Sequence, residues 1–113
     1  MHEMALAESI LTTLQEQARR HDYTRVKTVW LEIGPLASVE EQSLRFSFDV
    51  VVKGTLADGA RLEIETSPAQ AWCLSCSKSV VVTARFDACP DCGGHQLQMT
   101  SGNELRIKEL EVD

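Results

Sequence analysis

The sequence predicts a small α+β protein, in which a mixed three-stranded sheet carries two helices and a four-cysteine ribbon domain is inserted ahead of the last strand. Three observations predict it. The first two thirds of the chain switch between a helical apolar period and strand-like alternation, the pattern of helices laid on a sheet. All four cysteines then fall close together, as Cys73-Leu-Ser-Cys76 and Cys89-Pro-Asp-Cys92. After them comes one more alternating run, which reads as a strand returning to the first sheet.

The elements follow in order. Over residues 4–20 the apolar side chains Met4, Leu6, Ile10, Leu11, Leu14 and Ala18 recur mostly at spacings of three and four, which predicts a helix with one buried face. Glu3 and Glu8 near its start and Arg19, Arg20 and His21 near its end suit the helix dipole. Residues 25–33 are rich in β-branched and aromatic side chains, with Val29, Leu31 and Ile33 on one side, and Gly34-Pro35 stops this strand. Ser38-Val-Glu-Glu41 has the form of a capping box, which places the N-cap of a second helix at Ser38. Leu44, Phe48 and Val51 continue that helix and Gly54 ends it, although Val50-Val51-Val52 could also open a strand.

Leu62 and Ile64 alternate with charges in a half-buried strand over residues 61–65, and residues 68–71 read as a linker. Inside the ribbon, residues 80–83 and 97–100 suggest a pair of strands. In the last run Leu105, Ile107, Leu110 and Val112 slip by one at Lys108-Glu109, so a bulge or a change of exposed face is expected there. This order divides the chain into an α/β domain, residues 1–68 and 101–113, and a metal-binding domain, residues 69–100.

A CxxC pair turns two thiolates to one side of a tight turn. Two such turns supply four soft donors at tetrahedral positions, which suits Zn²⁺. Cys73, Cys76, Cys89 and Cys92 are therefore the candidate zinc ligands. The formal charge of −6 would fall to about −8 with zinc on four thiolates, which disfavours phosphate backbones and anionic lipid. The ribbon sets Lys78 and Arg85 against Asp87 and Asp91, so it offers no basic face and nucleic acid is not expected as a partner. The N-terminus has no basic n-region or apolar h-region, and no apolar run approaches the ~18 residues of a membrane span. A cytoplasmic protein without membrane insertion is the expectation, and in that reducing setting CxxC pairs are more often metal sites or dithiols than structural disulfides.

A second metal site is read at the very start. The Met1 amine, the His2 amide nitrogen and the His2 ring nitrogen can close two fused chelate rings on one ion, and the Glu3 amide or a distant imidazole would complete a set of nitrogens. Square nitrogen sites favour Ni(II) and Cu(II). Free imidazoles titrate near ~6.5 and α-amines near ~7.7–8.0, so such a chelate should weaken on mild acidification. His95 is read as a solvated loop residue, with a supplementary zinc or nickel ligand as the alternative. His21 is read as a helix-terminal surface residue. No nucleophile–base set, phosphate-binding glycine loop or paired-carboxylate site is discernible, so no enzyme is expected.

These residues carry a resemblance. Met1-His2-Glu3-Met4 before an amphipathic helix, Val29-Trp-Leu-Glu-Ile-Gly34, the stretch from Glu40 to Phe48, both CxxC knuckles and Gly102-Asn-Glu-Leu105 together resemble the HypA/HybF family of hydrogenase-maturation nickel metallochaperones. The resemblance spans essentially the whole chain. It implies that the α/β domain binds nickel through His2, with the Met1 amine and the Glu3 backbone nitrogen as accompanying donors. It further implies one structural zinc on the four cysteines, and Ni(II) as transferable cargo. The implied partners are the nickel-handling GTPase HypB and the large subunit of [NiFe]-hydrogenase, and a homodimer is allowed for. The chain departs from family members that carry a histidine beside a CxxC motif, because Ser77 and Gly93 stand there. A zinc-ribbon adaptor for another protein, without a nickel role, is the alternative. An iron site of rubredoxin type ranks below both, because so much of the chain precedes the first cysteine.

Overall fold

The computed structural model describes residues 2–84 and 86–113. Its elements run α1 Glu3–His21, β1 Val26–Ile33, α2 Glu41–Val51, β2 Arg61–Thr66, β3 Ala69–Cys73, β4 Lys78–Val82, β5 Leu97–Met99 and β6 Leu105–Val112. They form two three-stranded sheets, ordered β2-β1-β6 and β4-β3-β5. The fold is the α+β arrangement of two helices, a mixed sheet and a second small sheet that carries the cysteines.

Two compact units are built from this order. The first contains Met1–Leu31, Val39–Ile64 and Ile107–Asp113, and the second Glu32–Ser38 and Glu65–Arg106. The second unit takes in more chain than the ribbon alone because the backbone binds it there. The Gly34 N–H donates to the Glu104 carbonyl at 2.8 Å and the Leu36 N–H to the Gly102 carbonyl at 2.6 Å.

In the first unit α1 buries Ala7, Ile10 and Leu14 on one stripe, while α2 buries Leu44, Ser47 and Phe48. Val26, Val29 and Leu31 of β1, Leu62 of β2 and the residues Val52, Ala57 and Ala60 between α2 and β2 complete the core. β2 runs parallel to β1, as shown by the first residue of β1, Val26, whose N–H bonds the Leu56 carbonyl ahead of β2, and the last, Ile33, whose carbonyl accepts from the Ser67 N–H just past β2. Parallel neighbours need a crossover, and α2 is it. β6 runs antiparallel to β1, with Gly34 bonded to Glu104 at one end and Arg25 to Asp113 at the other. The sheet is therefore mixed. Burial in β6 does slip at Lys108-Glu109, where two successive residues are exposed, and burial in β1 slips at Thr28-Val29.

Two expectations are corrected and one alternative is closed. The cap of α2 is Glu40, whose carboxylate accepts from the Ser43 N–H at 2.5 Å, whereas Ser38 lies in the left-handed region at φ 56° and caps nothing. A carboxylate reaching its own N3 amide performs the same task as Ser38 would, two residues later. The alternative of a strand opening at Val50-Val51-Val52 is not realised, because α2 runs to Val51 as its apolar spacing predicts, with Val52 as its C-cap. Finally, residues 68–71 are not a linker. They begin β3, the central strand of the second sheet, which buries Ala69, Ala71 and Cys73 in strict alternation. β4 and β5 consequently pair with β3 and not with each other, Ala71 lying opposite both Val80 and Met99.

Candidate metal centre

The core of the second unit is small. Ala69, Ala71, Cys73, Val80, Val82 and Cys89 are buried, with Cys76, Leu97 and Met99 packed against them. Two of those six buried side chains are thiols, so the cysteines sit at the centre of the unit they hold.

Each CxxC pair is shaped by the same turn. Cys73 ends β3 and Cys76 lies in the hairpin before β4. Ser77 N–H donates to the Cys73 carbonyl at 2.8 Å, the Cys76 N–H points at the Cys73 sulfur at 3.4 Å, and Ser77 takes φ 53°. In the second knuckle Gly93 N–H donates to the Cys89 carbonyl at 2.8 Å and Gly93 takes φ 73°. The residue after the second cysteine must thus enter the left-handed region, which costs glycine little and serine more. Ser77 accepts that cost in the turn that joins the paired strands β3 and β4. The Cys89 N–H donates to the Gly94 carbonyl at 2.7 Å, closing the second turn from below.

The two knuckles face each other. The Cys73 and Cys92 sulfurs are 3.7 Å apart, those of Cys76 and Cys89 are 4.0 Å apart, and all four lie within 4.8 Å of one another. Zn–S bonds of ~2.3 Å at tetrahedral angles set an S···S edge of about 3.8 Å, whereas a disulfide needs ~2.05 Å. The cysteines are free thiols at metal-cage spacing, and each close contact crosses between knuckles. Electrostatics agree. Backbone N–H groups of Cys92 and Asp91 draw the Cys89 thiol down to about 7, while bonding to the Cys92 and Cys73 sulfurs pushes Cys76 up to about 12. The fold supports a first thiolate and resists the last one, so four thiolates together require a cation among them. The donor set fits zinc. Lys78 and Asp91 form an ion pair from one knuckle to the other, but both are exposed and it adds little to stability. His95 is exposed and stands outside the four-sulfur set.

The loop between β4 and the second knuckle holds a residue that sequence reasoning counts only as a surface charge. Asp87 Oδ2 accepts from the Thr83 N–H, the Thr83 hydroxyl and the Ala84 N–H at 2.9, 2.7 and 3.1 Å. These bonds keep its carboxyl below the usual range, the Thr83 hydroxyl foremost. A Thr-x-x-x-Asp spacing is the available signal, and it is too common to be read alone.

At the other candidate site, Met1 lies outside the described residues. His2 is exposed and flanks α1 at φ −96° and ψ 71°, its ring bonding no helix amide. Its carbonyl accepts the first helical bond, from Leu6 N–H at 3.0 Å. The amides of His2 and Glu3 precede the helical ladder and have no partner within it. The Glu3 carboxylate accepts from the Glu40 N–H at 3.2 Å, so the side chain braces α1 against the start of α2 and leaves the backbone nitrogen uncommitted. His21 closes α1 at its far end.

Comparison with known proteins gives a consistent picture. The profile of the family described as "Hydrogenase/urease nickel incorporation, metallochaperone, hypA" matches residues 1–112. The hydrogenase maturation factor HypA of Azotobacter vinelandii is 59% identical over 113 residues, covering all of both chains. That of Alkalilimnicola ehrlichii is 61% identical over the same span. A solution structure of the Ni metallochaperone HypA from Helicobacter pylori superposes with a TM-score of 0.73 at 24% identity, over 99% of this chain and 97% of that one, which establishes a shared fold.

Proposed function

This chain belongs to the HypA family, and on that premise we propose that it carries Ni(II) at its N-terminus and hands it on during maturation of [NiFe]-hydrogenase. It is a metallochaperone and not an enzyme. Nickel is held through the His2 ring and amide nitrogens, with the Met1 amine and the Glu3 backbone nitrogen as accompanying donors. Zinc is held by Cys73, Cys76, Cys89 and Cys92, where it keeps the small second unit folded. The nickel-binding domain comprises residues 1–68 and 101–113 and the zinc-binding domain residues 69–100. The GTPase HypB and the hydrogenase large subunit are the partners, and the cytoplasm is the compartment.

The observation that carries this reading is the pairing of an exposed His2 ahead of α1 with a closed four-sulfur cage, in a chain the family profile matches almost end to end. The two donor sets sort two metals. A soft tetrahedral cage retains zinc, whereas amine, amide and imidazole nitrogens favour Ni(II) and can be exchanged one at a time. Cu(II) binds such a set more tightly, so selection of nickel falls to low free copper and to docking with partners.

Nickel titration of the native-ended protein against His2→Ala and against a version with residues fused ahead of Met1 tests the reading. Nickel affinity should collapse in both while zinc content stays at one per chain. Retained affinity in His2→Ala would refute the chelate, and joint loss of both metals would refute the two-site picture.

A further inference from the structure

We propose that the open edge of β4 is a docking site for an extended, uncharged segment of a partner protein, which adds to the second sheet as an antiparallel strand. All the residues involved belong to the second unit, and the inference does not depend on the N-terminal chelate.

The hydrogen bonds identify the open groups. Thr100 N–H bonds the Gln70 carbonyl and Leu74 N–H bonds the Gln96 carbonyl, so Gln70, Trp72 and Leu74 turn their backbone groups toward β5. The alternate residues Ala69, Ala71 and Cys73 therefore bond β4, opposite Val82, Val80 and Lys78. That leaves Ser79 and Val81 with N–H and C=O directed away from β3, and β4 is an edge of its sheet. Among the described residues nothing else bonds these groups. The next outward amide, that of Thr83, is taken by the Asp87 carboxylate at 2.9 Å, which ends the open stretch.

Edge strands are ordinarily guarded by charge or by shortness. At the edges of the first sheet, β2 carries Arg61 and Glu63 and β6 carries Arg106 and Glu109, while β5 in the second sheet has only three residues. β4 has five, with no charge after Lys78, which lies opposite Cys73 on the cysteine side and pairs with Asp91. The other side of this sheet is uncharged as well. Trp72 stands at its centre, opposite Ser79 on β4 and Gln98 on β5, and Gln70 lies opposite Val81 in the next row. Trp72 is 40% exposed and Val81 53%. In a chain with 25% charged residues, such an edge and face select against phosphate, anionic lipid and charged peptide, whose charges would lose water without gaining a partner.

Register sets what adds there. The incoming residue opposite Ser79 exchanges both backbone bonds with it and points to the Trp72 side. Serine is small, so a long apolar side chain at that position reaches across it to the indole, two strand spacings or about 9–10 Å away. The residue two places earlier falls opposite Val81 and is apolar too. A second copy fits poorly. Its own β4 would set Val81 opposite Ser79, too short to reach Trp72, and five residues a side fall well below the ~20–30 of a standard interface.

The test titrates zinc-loaded full-length protein with the blocked, uncharged peptide Thr-Val-Thr-Phe-Thr-Gly and follows the Ser79 and Val81 amides by two-dimensional NMR. Both should shift saturably and exchange with solvent at least about tenfold more slowly when the peptide is bound. Affinity should fall at least about tenfold with lysine in place of the peptide's phenylalanine, with the peptide's valine and phenylalanine N-methylated, and in Ser79→Lys and Trp72→Ala, whose zinc content is checked alongside. The two altered peptides keep the test sound even where a protein variant fails to fold. No shift at ~1 mM peptide would overturn the proposal, as would equal binding of either altered peptide. Self-association that Ser79→Lys abolishes would overturn it in favour of a second copy. His2→Ala should leave every result unchanged, so failure here and failure of the nickel reading are distinguishable.

Discussion

Stripping zinc should unfold the second unit and leave the first intact. The second unit has about fifty residues, for which ordinary domain stability of ~0.05–0.15 kcal/mol per residue amounts to about 2–7 kcal/mol. A structural four-ligand zinc contributes about 10–16 kcal/mol of apparent binding energy near neutral pH. The metal term exceeds the whole stability such a unit would have. Its core confirms the shortfall, because apart from two thiols it buries only two alanines and two valines. The first unit owes nothing to sulfur, since Leu14, Leu31, Leu44 and Phe48 are fully buried there. The assay is a chelator titration followed by two-dimensional NMR, with metal counted in parallel. Trp72 and Val82 should collapse to unfolded positions as zinc leaves, while Leu14 and Phe48 hold theirs. Cys76→Ala should reproduce the stripped state. Native dispersion of Val82 in zinc-free protein would refute the reasoning, as would simultaneous loss of both units.

Other outcomes follow from single contacts. Gly34→Ala places a Cβ 2.1 Å from the Gly102 carbonyl oxygen and 2.3 Å from its carbon, where two backbone hydrogen bonds hold the strands together. Losing both bonds and overpacking the contact should cost about 2–6 kcal/mol in urea unfolding of the zinc-loaded protein. Gly94→Ala, whose Cβ would stand 3.4 Å from the Cys92 sulfur, should change stability by less than about 0.5 kcal/mol. The Glu40 carboxyl is held below its ordinary 4.5 by the Ser43 N–H, so its cap on α2 is complete above that value and is lost as pH falls through the lowered one. The Ser43 amide resonance should report this below pH 4.5 and lose the inflection in Glu40→Gln; an inflection above 4.5 would contradict the cap.

The larger elements were legible because burial and periodicity coincide in them. Ile10 and Leu14 mark α1, Leu44 and Phe48 mark α2, and Leu62 marks β2, each by a spacing that only one backbone geometry satisfies. The cage was legible for a different reason: CxxC spacing encodes its turn locally, and facing knuckles are the only way to bring four such sulfurs together. β3 was missed because its buried face is Ala69, Ala71 and Cys73, side chains too small to register as an apolar run beside Trp72, which is the one that looks buried and is half exposed. The ribbon pairing fails with it, since an unrecognised β3 leaves β4 and β5 with only each other as partners. The Glu40 cap was missed because Ser38 carries the commoner capping side chain, and a left-handed backbone at Ser38 leaves no trace in its neighbours. The Glu3 brace joins residues 37 apart in sequence, and no local pattern signals such a bond.

The two proposed metal sites would also differ in what the chain must order to build them. Every cysteine of the cage is fixed by a turn that the knuckle itself supplies, so removing the ion means dismantling hydrogen-bonded backbone. At the N-terminus the peptide plane from the His2 carbonyl to the Glu3 nitrogen is already held by the Leu6 N–H and by α1. On the proposed chelate, the His2 imidazole torsions would be set when nickel arrives. Fixing one side chain costs up to ~2 kcal/mol of rotamer freedom, so closing the proposed chelate on the His2 ring would cost at most about that. The same small amount is regained each time the ion departs. A carrier needs a preformed anchor beside donors that exchange easily, and the proposed chelate at the N-cap of a braced helix would have that anchor. Adding residues ahead of Met1 removes the free amine, whereas loosening the Glu3 brace removes the anchor. The two changes should therefore be separable, the first abolishing nickel binding outright and the second weakening it while α1 frays at Leu6.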